Sequence, residues 1–169
     1  MKDLDWSNLS FGYRQTDYNV RCYYRDGKWG EIEVCSDEYL KLHMAATCLH
    51  YGQEAFEGLK AYRCPDGKVR VFRMDENAKR LQSTCRGILM PEVPTEMFEE
   101  MVKKVVRLNQ EWIPTYESGA TLYIRPLLIG TSAQVGVHPS KEYCFPYFRN
   151  SSRSILQGWI LYQPIRHHP

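Results

Sequence analysis

No apolar stretch of this chain approaches the roughly 20 residues that a helix needs to cross a bilayer. Its opening residues, Met1 to Trp6, hold no apolar signal core. Charge of one sign is also scarce: 22 basic and 20 acidic side chains leave a formal charge of +2. Nucleic acid and anionic membranes both favour a strong basic excess, so neither is expected as the main partner. The six cysteines, Cys22, Cys35, Cys48, Cys64, Cys85 and Cys144, include no C-x-x-C pair. A chain of 169 residues is large and thin in cysteine beside a disulfide scaffold, so free thiols are expected. The histidines show no metal-ligand spacing with the cysteines. There is no P-loop, no G-x-G-x-x-G and no obvious triad. What remains is 43% hydrophobic and 25% charged, the ordinary composition of one globular domain with a real core. A cytoplasmic location is expected by default.

The patterns that are present read as an α+β domain: strands grouped first, then two helices, then another strand. Arg21–Tyr24 and Gly30–Val34 flank an Asp26-Gly27 turn and predict a hairpin. Residues 43–50 are ambiguous between helix and strand. Lys68–Phe72 alternates polar and apolar after an Asp66-Gly67 turn, with Leu59–Tyr62 as its hairpin partner. A helix follows, with Asp75 and Glu76 in its first turn and Ala78, Leu81, Cys85 and Ile88 spaced to face the core. Thr95 is the expected N-cap of a second helix. Met97, Met101, Val105, Leu108 and Trp112 form its apolar stripe, widened by Phe98 and Val102, until Pro114 ends it. Thr121–Ile129 reads as a strand in which Pro126 predicts an edge or a bulge. Residues 130–136 read as a loop.

Three local groups are able to carry chemistry. In Leu49-His50-Tyr51-Gly52-Gln53-Glu54-Ala55-Phe56-Glu57-Gly58-Leu59-Lys60 two glycines bracket two aromatics. That fits core aromatics around a turn, or an apolar pocket wall on which Gly58 lets a ligand approach the backbone. Arg80 has the planar fork that suits a phosphate, although helix-surface arginines are usually only solvated. Tyr123 and Arg125 project from one face of their strand, where they grip a carboxylate or line the solvent face of a sheet.

The ordered set of motifs is similar to the branched-chain aminotransferases. It comprises Phe11-Gly12-Tyr13, Thr16-Asp17, Asp26-Gly27-Lys28-Trp29, Leu49-His50-Tyr51-Gly52, Phe56-Glu57-Gly58, Phe72-Arg73, Asn77 with Arg80-Leu81, Tyr123-Ile124-Arg125-Pro126 and Gly136-Val137, over about residues 5 to 143. The resemblance implies a fold-type-IV pyridoxal 5'-phosphate enzyme, whose small N-terminal domain is a mostly antiparallel sheet with two main helices. It implies that Arg80 holds the cofactor phosphate. Tyr51, Phe56 and Gly58 would shape the pocket for the branched side chain. Tyr123 and Arg125 would lie on the substrate side, where the arginine receives the side-chain carboxylate of glutamate. Val137 would reach the pocket from a loop, often that of a neighbouring subunit, so a homo-oligomer is implied. Lys60 stands where some members have arginine. The implied reaction moves the amino group of leucine, isoleucine or valine to 2-oxoglutarate. The alternatives are a non-catalytic domain fragment, or a D-amino acid aminotransferase or aminodeoxychorismate lyase, against which the Leu-His-Tyr-Gly and Tyr-Ile-Arg-Pro sets argue.

Two features depart from that family. The reaction needs a Schiff-base lysine, which in the family follows the interdomain linker near a Gly-Asn-Tyr motif. No such motif occurs here, and Lys141 is the last lysine. After Tyr143 the chain reads CFPYFRNSSRSILQGWILYQPIRHHP, without lysine, aspartate or glutamate. A set of codons compatible with residues 144 onward, shifted by one nucleotide, translates as VFPIFVTPVGPYYKDG, an apolar strand and the Gly-Pro-Tyr turn of the family. Residues 1–143 are therefore expected to form the N-terminal domain, and 144–169 an out-of-frame tail, poorly packed or frayed from Arg149 onward. The lysine-bearing domain is expected to be absent and the chain alone inactive. Apolar surface meant for a second domain is expected to lower solubility.

Overall fold

The computed structural model describes residue 13 and residues 15–152, the last four as backbone. The strands are β1 (Asn19–Arg25), β2 (Lys28–Trp29), β3 (Glu33–Cys35), β4 (Glu54–Phe56), β5 (Leu59–Arg63), β6 (Val69–Val71), β7 (Thr121–Gly130) and β8 (Tyr143–Ser152). They form one antiparallel sheet in the order β2-β1-β8-β7-β5-β6, with β3 also on β1 and β4 also on β7. The helices are α1 (Thr47–Tyr51), α2 (Met74–Gly87) and α3 (Thr95–Leu108), the last followed by a 3₁₀ turn at Gln110–Trp112. This is the α+β class with two main helices that the sequence predicts. Among the described residues no helix is long and apolar enough to cross a membrane.

Turn chemistry sets the first hairpin. Asp26 and Gly27 have φ of 52° and 75°, the left-handed pair that a two-residue type I′ turn requires, and Tyr24 pairs with Trp29 across it. The returning strand is two pieces rather than one: the Gly30 N–H still donates to the Tyr23 carbonyl at 2.8 Å, but residues 31–32 leave the ladder before Glu33 rejoins β1. Ala61 pairs with Val71 in the expected second hairpin. The ambiguous stretch resolves into α1, closed by Gly52 at φ 59°.

Along β7 the buried residues Leu122, Ile124 and Leu128 alternate with the half-buried Tyr123, Arg125 and Leu127. The buried side meets α2 and α3. Phe98 of α3 lies 6.3 Å from Phe145 and 5.7 Å from Tyr147, ring centre to ring centre, and the two β8 rings are 4.9 Å apart. Met101, Val102 and Val105 complete the α3 stripe, whereas Met97, Leu108 and Trp112 are only partly covered. Tyr123, Arg125 and Leu127 point to the face of the sheet opposite α2 and α3.

Four expectations are corrected. Ile88 lies past the end of α2 and is exposed rather than core-facing. Thr95 is the first helical residue, Pro94 occupies the cap, and the Thr95 hydroxyl instead accepts from Gln82 Nε2 at 3.3 Å. Pro126 sits neither at an edge nor in a bulge. It pairs with Tyr147 of β8, and its carbonyl accepts the Glu57 N–H at 3.0 Å. That carbonyl points at the gap between β4 and β5, so the missing proline N–H also faces a place where no ladder bond is needed. Finally, residues 143–152 form a central strand: Phe145 and Tyr147 are fully buried, and the 149–152 backbone pairs with Thr121–Ile124. Fraying is thus excluded for 149–152, while 153–169 lie outside the described residues.

All six cysteines are free thiols. Burial pushes Cys85 and Cys144 up from 9.0 to about 11. Raised folded-state values mean stability that is complete below pH 9 and lost as pH climbs through about 11, because the unfolded chain ionises its thiols first. Urea midpoints are therefore expected to fall between about pH 8.5 and 11. Cys85→Ala should flatten that slope, and an unchanged slope would show that the thiol does not govern it.

Candidate active site

The interruption between β4 and β5 is a short kink that faces Arg125 and Pro126 of β7. Phe56 ends β4, and its ring lies 4.4 Å below the Arg125 guanidinium carbon. Arg125 also donates from Nε and Nη2 to the Tyr123 hydroxyl, at 3.2 and 3.0 Å. Gly58 opens the space for that hydroxyl: a Cβ there would lie 2.8 Å from Tyr123 Oη and 3.2 Å from the ring. The arrangement holds a cation against two aromatic rings on the face of the sheet opposite α2 and α3. Lys60, next along β5, pairs with Tyr123. Gly58→Ala is expected to push the Tyr123 ring aside and cost about 1–3 kcal/mol by overpacking, read as a lower urea midpoint. An unchanged midpoint and tyrosine ring spectrum would contradict the close approach.

Glu57, between Phe56 and Gly58, turns the other way and is buried. Its carboxylate accepts Arg80 Nε at 2.8 Å and Arg80 Nη2 at 2.6 Å, a two-pronged pair, and Asn77 Nδ2 at 2.8 Å. The Glu57 contact raises the Arg80 pKa above its ordinary value. Asn77 and Arg80 are three apart on α2 and so share a face. Arg80 remains largely exposed and borders an open hollow of about 270 Å³ with Phe72, Arg73, Glu76 and Asn77.

Tyr51 and Val137 fall in a second group. Tyr51 ends α1 and its hydroxyl donates to the Val135 carbonyl in the loop after β7. That loop is internally braced: Ser132 Oγ accepts the Lys141 and Glu142 N–H groups at 2.8 and 2.9 Å, and Ser132 N donates to Ser140 Oγ at 3.0 Å. Gln53 Oε1 ties it to the segment after α1 by accepting Ser140 N at 2.9 Å. The loop presents Val135 and Val137 almost fully to solvent. Sequence reasoning assigns no role to Glu57, Asn77 or Gln53. For Glu57 the available signal is a lone acid between an aromatic and a glycine.

An antiparallel sheet with two helices on one face, and a buttressed arginine on the other, places the chain in the fold-type-IV aminotransferase class. It belongs to the branched-chain aminotransferase family. It is 51% identical to a branched-chain-amino-acid aminotransferase of Haemophilus influenzae over 148 residues, 88% of this chain and 43% of that protein. The branched-chain aminotransferase of Escherichia coli superposes with a TM-score of 0.55 at 25% identity, over 79% of this chain and 40% of that one. Another solved branched-chain amino acid aminotransferase, complexed with N-(5'-phosphopyridoxyl)-L-glutamate, gives 0.55 at 26%, over 75% and 40%. No protein-family model matches. The chain spans less than half the length of the curated relatives it matches.

Proposed function

We propose that this chain supplies the cofactor-phosphate and substrate-carboxylate contacts of a pyridoxal-phosphate aminotransferase acting on leucine, isoleucine or valine and 2-oxoglutarate in the cytoplasm. The observation that carries the reading is Arg125, fixed by the Tyr123 hydroxyl and the Phe56 ring on the face opposite α2 and α3. A guanidinium so held recognises a second carboxylate by charge, while the same aromatic surface accepts a branched alkyl group. One pocket can thus serve glutamate and leucine. Gly58 keeps the wall close, and Lys60 borders it.

The cofactor fits the residues present. Arg80 offers an exposed guanidinium over an open hollow, suited to a phosphate dianion. The phosphopyridoxyl-glutamate adduct bound in the second of the solved relatives supports the assignment. Pyridoxal phosphate, when bound, supplies an electron-withdrawing ring as a sink for the electron pair released at the substrate α-carbon. Arg80 holds the phosphate; Tyr123 and Arg125 orient the substrate; Phe56 and Gly58 exclude water from one side. Tyr51 and Val137 form another wall, contributed to a neighbouring copy in a homo-oligomer. The exposure of Val135 and Val137, on the loop that the Tyr51 hydroxyl ties down, supports that arrangement.

The proton-shuttling lysine is matched by none in these 169 residues, and none follows Lys141. The purified chain is expected to bind inorganic phosphate and pyridoxal phosphate yet to give no leucine-dependent glutamate formation. Arg80→Ala should weaken phosphate binding roughly ten- to a hundredfold, the worth of a charge-assisted hydrogen bond. Unchanged binding would refute the phosphate role, and turnover by the chain alone would refute the missing lysine. We read residues 144–169 as translated from a shifted frame. Sequencing the gene past codon 143 tests this: an uninterrupted second domain in the other frame supports it, and none overturns it.

A further inference from the structure

Glu57 and Arg80 belong to different elements, and their contact determines how the arginine is presented. Nε and Nη2 are the side edge of the guanidinium fork, and both point at one buried carboxylate. The end edge, one N–H from each Nη, is the remaining pair of parallel donors. It lies at the exposed end of the side chain, over the hollow beside Phe72, Arg73, Glu76 and Asn77. Asn77 fastens the same carboxylate from one turn earlier on α2 and also reaches the Gly58 carbonyl at 3.4 Å. The Glu57 N–H is itself held by the Pro126 carbonyl of β7. The carboxylate is therefore a fixed post between the sheet and α2.

We propose that Glu57, braced by Asn77, is a positioning residue that locks Arg80 with its end edge presented to a phosphate. This rests on the reading of Arg80 as the phosphate ligand. A buried negative charge beside an anion site has an electrostatic cost to the anion, so two roles predict opposite signs. If Glu57 positions, removing its charge frees the arginine to many rotamers and binding weakens despite the electrostatic relief. If Glu57 merely occupies Arg80, removing its charge strengthens anion binding.

The test uses the full 169-residue chain with inorganic phosphate as the probe, and pyridoxal phosphate against pyridoxal as a second comparison. Affinity is followed by nuclear magnetic resonance titration of the arginine Nε–H signals, and folding by the melting midpoint. Glu57→Gln is expected to weaken phosphate about tenfold, about 1.4 kcal/mol, and to broaden or shift the Arg80 Nε–H signal before any ligand is added. Asn77→Ser, on a partly exposed helix position, should give a smaller change in the same direction and serves if Glu57→Gln does not fold. Pyridoxal, without a phosphate, should respond to neither. Tighter phosphate binding by either variant would overturn the proposal in favour of competition. A lower melting midpoint with unchanged affinity would overturn it in favour of a purely structural tie. Arg80→Ala separates the two levels: if it leaves phosphate affinity untouched, the phosphate reading itself fails, whatever Glu57 does.

Discussion

Phe145→Ala is expected to remove about 3–5 kcal/mol of stability, the usual cost of emptying a fully buried aromatic site. That is a large share of the roughly 5–15 kcal/mol that holds a domain folded. Phe145 is fully buried and lies within about one ring diameter of three other aromatics: Trp29 at 6.0 Å, Phe98 at 6.3 Å and Tyr147 at 4.9 Å, centre to centre. Its strand is hydrogen-bonded on both sides, to β1 and to β7, so a collapse there separates two halves of the sheet. Loss of near-ultraviolet circular dichroism and a melting midpoint lowered by several degrees, roughly 2–8 °C for each kcal/mol lost, would be the reading. A midpoint within about a degree of the parent would mean that β8 is not the centre of this fold. The result bears on the unusual tail. In the shifted translation VFPIFV, phenylalanine and proline fall at positions 145 and 146 just as they do here, and an isoleucine takes the inward place of Tyr147. Either frame satisfies the inward-facing pattern of a buried strand, so on the proposed shifted-frame reading the substituted residues would still fill this slot.

That coincidence also marks where sequence reasoning stops. The hairpin at Asp26-Gly27, the β5–β6 pair and both long helices are legible, because turn chemistry and period are local signals. Pro126 is misjudged because its tolerance depends on the break between β4 and β5, which is tertiary information. The β8 strand escapes notice because Pro146, Arg149, Asn150 and two serines interrupt aromatics that by themselves favour a strand. At the site, the Tyr123 and Arg125 pair is readable from strand alternation, and the structure adds that they hydrogen-bond each other and that Arg125 lies over the Phe56 ring. Glu57 is invisible in role: a carboxylate one residue from a glycine reads as surface until Arg80, 23 positions away, is brought to it.

Gly130→Ala is expected to cost about 2–4 kcal/mol, combining overpacking with one or two lost hydrogen bonds, and to loosen the loop over residues 131–142 before the sheet gives way. Gly130 is buried at the end of β7. An added Cβ would run into Thr47 Oγ1 and stand 2.9 Å from Gln53 Oε1 and 3.0 Å from Ser140 Cβ. Thr47 is buried in α1 and cannot swing into solvent, so the clash with it displaces the Gly130 backbone or the start of α1, and Gln53 and Ser140 shift with them. Gln53 Oε1 is the acceptor that holds Ser140 N, and Ser140 Oγ in turn accepts from Ser132 N and donates to the Glu142 carbonyl at 2.7 Å. Moving the one contact releases the brace as a unit. Amide hydrogen exchange at Ser132, Ser140 and Lys141 should accelerate more than at Leu122 or Ile124 of β7, and limited proteolysis should cut near Val135. Equal acceleration along β7 would show instead that the glycine supports the whole sheet. The contrast matters for the proposed chemistry, since the loop carries Val137 and is tied to the Tyr51 hydroxyl through Val135. A loop loosened while Tyr123 and Arg125 keep their geometry would separate the wall proposed for a neighbouring copy from the carboxylate grip proposed for Arg125.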